Sequence, residues 1–224
     1  MRVALLGHPV AHSLSPQMQN AAFAAVGLDD WDYEARDVDD VVAAVAQLRA
    51  EGFAGANVTI PHKQAVVATC DEADGDAVNT LVFRAGCVLG FNTDKEILSG
   101  IHASRACVIG SGGAARTLTP GLPGDTRFFS RSGEWPPDAT DCDLIVNATP
   151  VCDELLVAPT AGQTVVDLAY GDQETALVKA ARAAGCEVID GREALVRQGA
   201  ASFTIWTGLA APIDAMRRAV LWKA

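Results

Sequence analysis

Apolar residues in this chain occur in short runs that alternate with amphipathic stretches. The runs are rich in β-branched residues and predict strands at 2–7, 31–38, 55–60, 105–110, 126–132, 141–149, 163–169 and 187–191. Helical spacing of apolar residues predicts helices at 15–27, 37–52, 62–70, 94–102, 112–118, 175–186, 192–208 and 212–222. Alternating strands and helices are typical of an α/β protein with a mostly parallel sheet covered by helices.

Two local signals refine these elements. Residues 79–92 predict a β-hairpin that turns at Ala85–Gly86. Ser15 is predicted to be the N-cap of the first helix, with Pro16 at its first helical position. The clearest candidate boundary lies at 94–104, and it predicts two α/β lobes on either side of a cleft.

Composition excludes several classes of partner. The net charge of −11 and the pI near 4.7 argue against nucleic acid and anionic membranes, which bind basic surfaces. The six cysteines are widely spaced and form no C-x-x-C pair, and the four histidines show no metal-ligand spacing with them. We therefore expect reduced, buried thiols and no metal site. No signal peptide and no run long enough to span a membrane is evident, so the expected location is the cytoplasm.

The stretch "VIGSGGAA" has the pattern of a dinucleotide-binding turn between a strand and a helix. Gly110 permits the tight turn, Gly112 lets the backbone approach a pyrophosphate, and Ala115 allows close packing of helix on strand. The helix N-terminus would supply N–H donors to the anion. The alternative is a glycine-rich turn that binds nothing.

The next predicted strand ends in "SRS", where an NAD site would have an acidic residue for the ribose hydroxyl. Arg131 between Ser130 and Ser132 suits a 2′-phosphate instead. The sequence therefore favours NADP over NAD. The alternative is an ordinary surface arginine.

The stretch "GANVTIPHK" places Lys63 directly after an apolar strand that Pro61 ends. Taken alone, Lys63 is more often a solvated lysine at the start of a helix.

These motifs together resemble the shikimate dehydrogenase family, over most of the chain from about Gly7 to Gly208. The similar segments, in order, are "GHPVAHSLSPQMQN", "GANVTIPHK", "AVNTL", "GFNTD", "GSGGAAR", "SRS", "NATP", "DLAY" and "QGAASFTIWTG". The order of the lysine motif, "NTD" and the last segment is highly specific to that family.

The resemblance implies reversible reduction of 3-dehydroshikimate to shikimate by NADPH, a step of chorismate and aromatic amino acid biosynthesis. It implies that Lys63 and Asp94 handle the proton at the substrate oxygen. A cationic lysine beside an oxygen that becomes alkoxide-like can stabilise its charge and deliver a proton. The aspartate would orient the lysine.

The resemblance also implies the binding residues. Ser13 and Ser15 would bind the substrate carboxylate, Thr59, Asn79 and Gln198 the ring oxygens, and Tyr170 would be a nearby hydroxyl. The cofactor would contact Gly110, Ser111, Gly112, Gly113, Ala114, Ala115, Ser130, Arg131, Ser132, Asn147 and Thr149. Singly, each has a structural alternative: Ser15 or Asp94 as a helix cap, Asn79 as a turn residue, Thr149 as a strand end, and Tyr170 or Gln198 as an ordinary polar side chain.

The implied domains are a substrate-binding domain, 1–93 with a returning helix at 203–224, and a compact Rossmann-like NADP-binding domain, 94–202. The implied molecule is a monomer or homodimer. The chain departs from the family at Gln19, Asp76, Lys95, Asp172 and Ala194, and it is shorter in the cofactor half. Two alternatives therefore stay open, namely a quinate or aminoshikimate dehydrogenase and a non-catalytic sensor of NADP or shikimate.

Overall fold

The structure is a computed structural model that describes residues 1–221. The chain divides into two compact units, Met1–Asp94 with Val196–Leu221, and Lys95–Leu195. The predicted domain bounds differ from these units at Asp94 and over 196–202. As functional domains, they stay a prediction.

Eleven strands and six α-helices occur within the described residues. The strands are β1 (Arg2–Gly7), β2 (Asp32–Asp37), β3 (Gly55–Val58), β4 (Glu72–Ala73), β5 (Thr80–Arg84), β6 (Cys87–Phe91), β7 (Arg105–Ile109), β8 (Asp125–Phe129), β9 (Leu144–Asn147), β10 (Thr164–Asp167) and β11 (Glu187–Ile189). The helices are α1 (Ser15–Ala25), α2 (Val41–Ala50), α3 (Gly113–Leu118), α4 (Ala176–Ala183), α5 (Gly191–Thr207) and α6 (Ile213–Val220). This alternation confirms the predicted α/β class.

The first unit contains a mixed sheet of six strands in the order β2-β1-β3-β5-β6-β4. Strand β1 pairs in parallel with β2 and β3, whereas β3 pairs antiparallel with β5. Every residue of β1 after Arg2 is buried, which is typical of a parallel strand covered on both faces. The sheet therefore holds the end of β3, with the lysine motif that follows, inside the first unit.

The hairpin of β5 and β6 turns where the sequence predicted. Ala85 and Gly86 have positive φ values of 51° and 82°. Two successive residues with positive φ match the twist of the flanking strands in a two-residue hairpin. The register that results pairs Thr80 with Phe91, so the residues that precede β5 and those that follow β6 lie side by side.

The second unit contains a five-stranded sheet in the order β11-β10-β9-β7-β8. All of its neighbouring strands are parallel, which confirms the Rossmann-like sheet. The strand order reverses at β7, since β8 and β9 flank it on opposite sides. Ligands of such sheets bind beyond the carboxyl ends of the strands at this reversal, and the glycine turn follows β7 there.

Three helix predictions were wrong in detail. The predicted helix at 62–70 is a 3₁₀ segment at Ala65–Thr69, and that at 94–102 is a 3₁₀ segment at Asp94–Leu98. Each 3₁₀ segment is five residues long, shorter than the helix that the sequence predicted there. Helix α1 begins at Ser15 itself, after Leu14 at the N-cap position, so Ser15 is not the N-cap. Ser13 instead accepts a hydrogen bond from Ser15 N at 3.2 Å.

All six cysteines are free thiols. Cys107 and Cys142 are buried in the second unit, and burial raises the pKa of the Cys107 thiol to about 12. Cys87 is exposed at the hairpin turn, and Cys70, Cys152 and Cys186 are half-buried, so the expectation of buried thiols holds only for Cys107 and Cys142.

Gly55 provides a test of packing in the first unit. A Cβ at Gly55 would lie 2.2 Å from the Leu81 carbonyl oxygen and 2.7 Å from Trp206 Nε1. Trp206 Nε1 donates to that carbonyl at 2.9 Å. Moving either atom away from the added Cβ would therefore break this hydrogen bond. We expect Gly55→Ala to lower the free energy of unfolding by about 1–3 kcal/mol.

Thermal or urea unfolding would measure this loss. Gly75→Ala is the matched control, because its nearest neighbour would lie at 3.8 Å. Equal stability of the two variants would contradict the packing at Gly55.

Candidate active site

Lys63 is a buried lysine with a carboxylate partner. It lies five residues beyond the end of β3, and it is 9% exposed. Its Nζ donates to Asp94 Oδ2, and its backbone carbonyl accepts from Val78 N at 2.9 Å. A charged ammonium this far from water is stable only when it is paired, so the interpretation of Lys63 as a solvated lysine is wrong.

Asp94 receives a second donor on its other oxygen. It is 5% exposed, and Asn79 Nδ2 donates to its Oδ1 at 2.7 Å. Asp94 begins a 3₁₀ segment, but its carboxylate contacts Lys63 and Asn79. Each oxygen of the Asp94 carboxylate therefore has a side-chain hydrogen-bond partner, so the role of Asp94 is not limited to that of a helix cap.

Asn79 has a fixed amide orientation. Thr93 N can only donate, and it lies 2.8 Å from Asn79 Oδ1. The Nδ2 group must then point the other way, towards Asp94, and it also lies 3.4 Å from Gln198 Oε1. Four of the predicted residues are thus assembled into one cluster of the first unit, namely Lys63, Asp94, Asn79 and Gln198.

The other predicted substrate residues occupy three further positions. Ser13 and Ser15 lie together where α1 begins, with Ser15 buried. Thr59 follows β3, and its backbone N–H donates to the Leu6 carbonyl at 2.8 Å. Tyr170 belongs to the second unit, just after β10. Their contacts with substrate stay a prediction.

The predicted phosphate turn has the expected backbone. Gly110 has a φ of 114°, and a Cβ there would lie 3.0 Å from the Ala148 carbonyl oxygen. A side chain at Gly112 would meet nothing within 4 Å, so the backbone is open there. Ala115 is buried in the core of the second unit, against which α3 packs. Ser111, within the turn, is exposed, and Gly113 and Ala114, the first residues of α3, are half-buried.

Arg131 follows β8 in a tight turn. Ser130 and Ser132 flank it with their hydroxyl oxygens 3.3 Å apart, and its guanidinium lies 5.7 Å from the centre of the Trp135 ring. Arg131 is 70% exposed and forms an ion pair with Glu154 at 3.2 Å. A cation with two hydroxyls suits a phosphate monoester, but Glu154 competes for that cation.

Asn147 and Thr149 belong to a buried network that the sequence did not predict. Asn147 Nδ2 donates to Asp167 Oδ1 at 2.9 Å, and Thr149 Oγ1 donates to Asn147 Oδ1 at 2.7 Å. Asp167 is fully buried, and Thr175 Oγ1 donates to its Oδ2 at 2.5 Å. The signal was available, because Asp167 is an acidic residue at the end of an apolar strand.

Metal ligands do not cluster in the described part of the chain. No group of three or more His, Cys, Asp or Glu side chains is arranged to hold an ion there.

Comparisons with known proteins match both ends of the chain. Residues 5–81 match the shikimate dehydrogenase substrate binding domain, and residues 191–221 match the shikimate 5′-dehydrogenase C-terminal domain. A shikimate dehydrogenase (NADP(+)) of Moorella thermoacetica is 39% identical, over 96% of this chain and 91% of that protein. This chain belongs to the shikimate dehydrogenase family.

Two further members support this assignment. The shikimate dehydrogenase (NADP(+)) of Methanopyrus kandleri is 36% identical over 98% of this chain and 94% of its own length. The crystal structure of shikimate 5-dehydrogenase from Thermus thermophilus, in complex with NADP(H) and shikimate, is 31% identical. It matches with a TM-score of 0.85 over 98% of both chains.

This family member is short. Its alignment with the Moorella thermoacetica protein spans 269 positions, more than its own 224 residues. The relative therefore has residues that this chain lacks.

Its departures from the family pattern fall into two groups. Asp76, Lys95 and Asp172 are exposed, whereas Gln19 and Ala194 are buried. Gln19 Nε2 donates to the Gly199 carbonyl at 2.9 Å, and its Oε1 has no hydrogen-bond partner among the described residues.

Asp167 gives the second unit a predictable response to pH. Burial raises the pKa of the Asp167 carboxyl above its ordinary 3.8, against the lowering effect of its three hydrogen bonds. The folded state thus binds this proton more tightly than the unfolded state does. The stabilisation is complete below pH 3.8 and is lost as the pH rises through the raised value.

We therefore expect Asp167→Asn to be least stable, relative to the native protein, at acidic pH. The difference in melting temperature should shrink as the pH rises to neutral. Melting curves from about pH 3.5 to 7.5 would show this, with Asp153→Asn as the control. A constant difference would mean that Asp167 titrates alike in the folded and unfolded states.

Proposed function

We propose that this chain is an NADP-dependent shikimate dehydrogenase, which interconverts 3-dehydroshikimate and shikimate. The observation that carries the proposal is the buried Lys63–Asp94 pair, with Asn79 on the second carboxylate oxygen. A buried cation that a carboxylate orients is suited to an oxygen that gains negative charge. The names and bound ligands of its relatives supply the substrate and the cofactor.

Lys63 transfers the proton in the proposed reaction. NADPH, when bound, supplies a hydride to the carbonyl carbon of the substrate. Negative charge then develops on the carbonyl oxygen, and Lys63 Nζ stabilises it and donates a proton to it. Asp94 Oδ2 accepts from Nζ and so holds the ammonium in one direction. In the reverse direction, Lys63 accepts the proton of the shikimate hydroxyl as the neutral amine, the form that remains after it has given up a proton, and becomes the ammonium.

Substrate recognition uses short polar side chains. Asn79 and Gln198 lie beside the pair and would bond the ring oxygens, together with Thr59. Ser13 and Ser15 would bind the carboxylate with hydroxyl and backbone N–H donors at the start of α1. Tyr170 would supply a further hydroxyl. Quinate, an aminoshikimate and a purely sensory role are the alternatives, and the intact pair and the relatives' names favour the dehydrogenase.

The chain's residues fit NADP. Gly110, Gly112 and the start of α3 would hold the pyrophosphate through backbone N–H groups, with Ser111, Gly113, Ala114 and Ala115 completing the turn. Arg131, Ser130 and Ser132 would bind the 2′-phosphate. Asn147 and Thr149 would lie along the cofactor, with Asn147 fixed by Asp167.

The proposal extends to the setting of the enzyme. No helix in the described residues is long and apolar enough to cross a membrane. We place the enzyme in the cytoplasm as a monomer or homodimer, in the biosynthesis of chorismate and aromatic amino acids.

Lys63→Ala tests the catalytic role. We expect kcat for shikimate oxidation to fall by roughly 10²- to 10⁴-fold, because proton transfer and charge stabilisation are both lost. The formation of reduced nicotinamide with shikimate and NADP measures this. Lys179→Ala, which removes an exposed lysine of α4, is the control.

Three other outcomes would contradict the proposed function or the proposed role of Lys63. Lys63→Ala activity within about tenfold of the native value would remove Lys63 as proton donor. Turnover of quinate but not shikimate would favour the first alternative. Binding of shikimate without any turnover would favour the sensor.

Glu154→Gln and Arg131→Ala test cofactor selectivity. Removal of the Glu154 charge frees Arg131, so NADP affinity should rise by about two- to fivefold. Loss of Arg131 should lower NADP affinity by roughly 10- to 100-fold, as expected for charge-assisted hydrogen bonds, and leave NAD affinity unchanged. Calorimetric titration with NADP and NAD measures both, with Glu187→Gln as the control. Equal loss of NADP and NAD affinity in Arg131→Ala would disprove 2′-phosphate recognition.

A further inference from the structure

Three buried hydroxyl groups meet next to the catalytic cluster. Thr80 comes from β5, Thr93 from the segment after β6, and Ser202 from α5, and each is at most 2% exposed. Their oxygens are mutually close, at 2.8 Å between Thr80 and Ser202, 3.2 Å between Thr80 and Thr93, and 3.2 Å between Thr93 and Ser202. We call this set the hydroxyl triangle.

Asn57 joins the triangle to the backbone of Asn79. Its Nδ2 lies 3.0 Å from the Asn79 backbone carbonyl, which can only accept, so Nδ2 is assigned without ambiguity. The same Nδ2 lies 3.0 Å from the hydroxyl oxygens of Thr80 and Ser202, and these three acceptors share its two N–H protons. On the other side of Asn57, Tyr33 OH donates to Oδ1 at 2.9 Å.

Each hydroxyl proton has an acceptor within reach. Ser202 Oγ can donate to the Gln198 carbonyl at 3.2 Å, and Thr80 and Ser202 share a hydrogen bond of 2.8 Å in which either oxygen can be the donor. Thr93 Oγ1 donates to Asn79 Oδ1 at 3.1 Å. Buried polar groups are costly unless they are paired, so this satisfied arrangement resists change.

Asn79 connects the hydroxyl triangle to the Lys63–Asp94 pair. Its Oδ1 is held by Thr93, through the backbone N–H at 2.8 Å and the hydroxyl. Its Nδ2 is therefore presented to Asp94 Oδ1, which leaves Oδ2 for Lys63. Gln198, one turn before Ser202 on α5, is held by the same serine through its backbone carbonyl.

We propose that Ser202 is a positioning residue of this enzyme, whose buried hydroxyl ties α5 to the Asn57–Thr80–Thr93 network and thereby fixes Asn79 and Gln198 beside the Lys63–Asp94 pair. The inference rests on the proposed function, because its effect is read on shikimate. Ser202 acts on the Lys63–Asp94 pair through Asn79 and Gln198.

Ser202→Ala should reduce kcat/KM for shikimate by about tenfold, the size expected for one buried hydrogen-bonded group. The decisive readout is the double-mutant cycle with Asn79→Ala. If Ser202 acts through Asn79, its effect on kcat/KM should nearly vanish in the Asn79→Ala background. An effect that persists in full in that background would overturn the proposal.

Controls separate positioning from simple loss of stability. Thr204→Ala removes a hydroxyl that donates to the Ala200 carbonyl at 3.1 Å on the same helix, and it should leave kcat/KM unchanged. Thr80→Val is a second variant, of similar volume, and it should show the same non-additivity with Asn79→Ala if Ser202→Ala fails to fold.

Failure of the proposed function is distinguishable. A native protein inactive on shikimate would refute the function, and the same cycle would then be read by thermal unfolding. Coupling of Ser202 with Asn79 in melting temperature would support the positioning role for whatever substrate the pair serves. Additive losses would overturn it.

Discussion

The first unit is organised around one ion pair that is almost dry. Lys63 and Asp94 are 9% and 5% exposed, and each charge is tolerable there only while the other remains. The pair therefore requires two chain segments, 31 residues apart, to end at one place. The antiparallel pairing of β3 with β5, and of β5 with β6, meets that requirement. Asn79, just before β5, donates its side-chain amide N–H to the second oxygen of the Asp94 carboxylate.

The second unit likewise buries a carboxylate, that of Asp167. Asp167 has no cationic partner among its hydrogen bonds in the described residues, which come from Asn147, Ala169 and Thr175. These bonds join the ends of β9 and β10 to the start of α4. Asn147 and Thr149, the residues proposed to lie along the cofactor, are thereby hydrogen-bonded within the second unit.

Sequence reasoning succeeded where the cause was local. Apolar runs predicted the strands other than β4, and the Ala85–Gly86 turn follows from two residues that adopt positive φ. It failed at Ser15, where Ser13 supplies the hydroxyl instead, and in two segments that form a 3₁₀ helix where an α-helix was predicted. Lys63, Asp94, Asn79 and Gln198, which the family motifs singled out, lie in one cluster, and their roles stay a prediction. The bond of Asn57 to Ser202 spans 145 residues, and no local pattern signals a contact of that kind.

The shortness of α3 affects how the protein attracts an anion. Six residues, followed by a 3₁₀ turn that contains Pro120, align few peptide dipoles behind the phosphate turn. More of the attraction must then come from the exposed guanidinium of Arg131, in a chain with a net charge of −11. Exposed charges are screened over about 10 Å at 0.1 M salt. We therefore expect cofactor capture at the proposed site to weaken as the ionic strength of the solution rises.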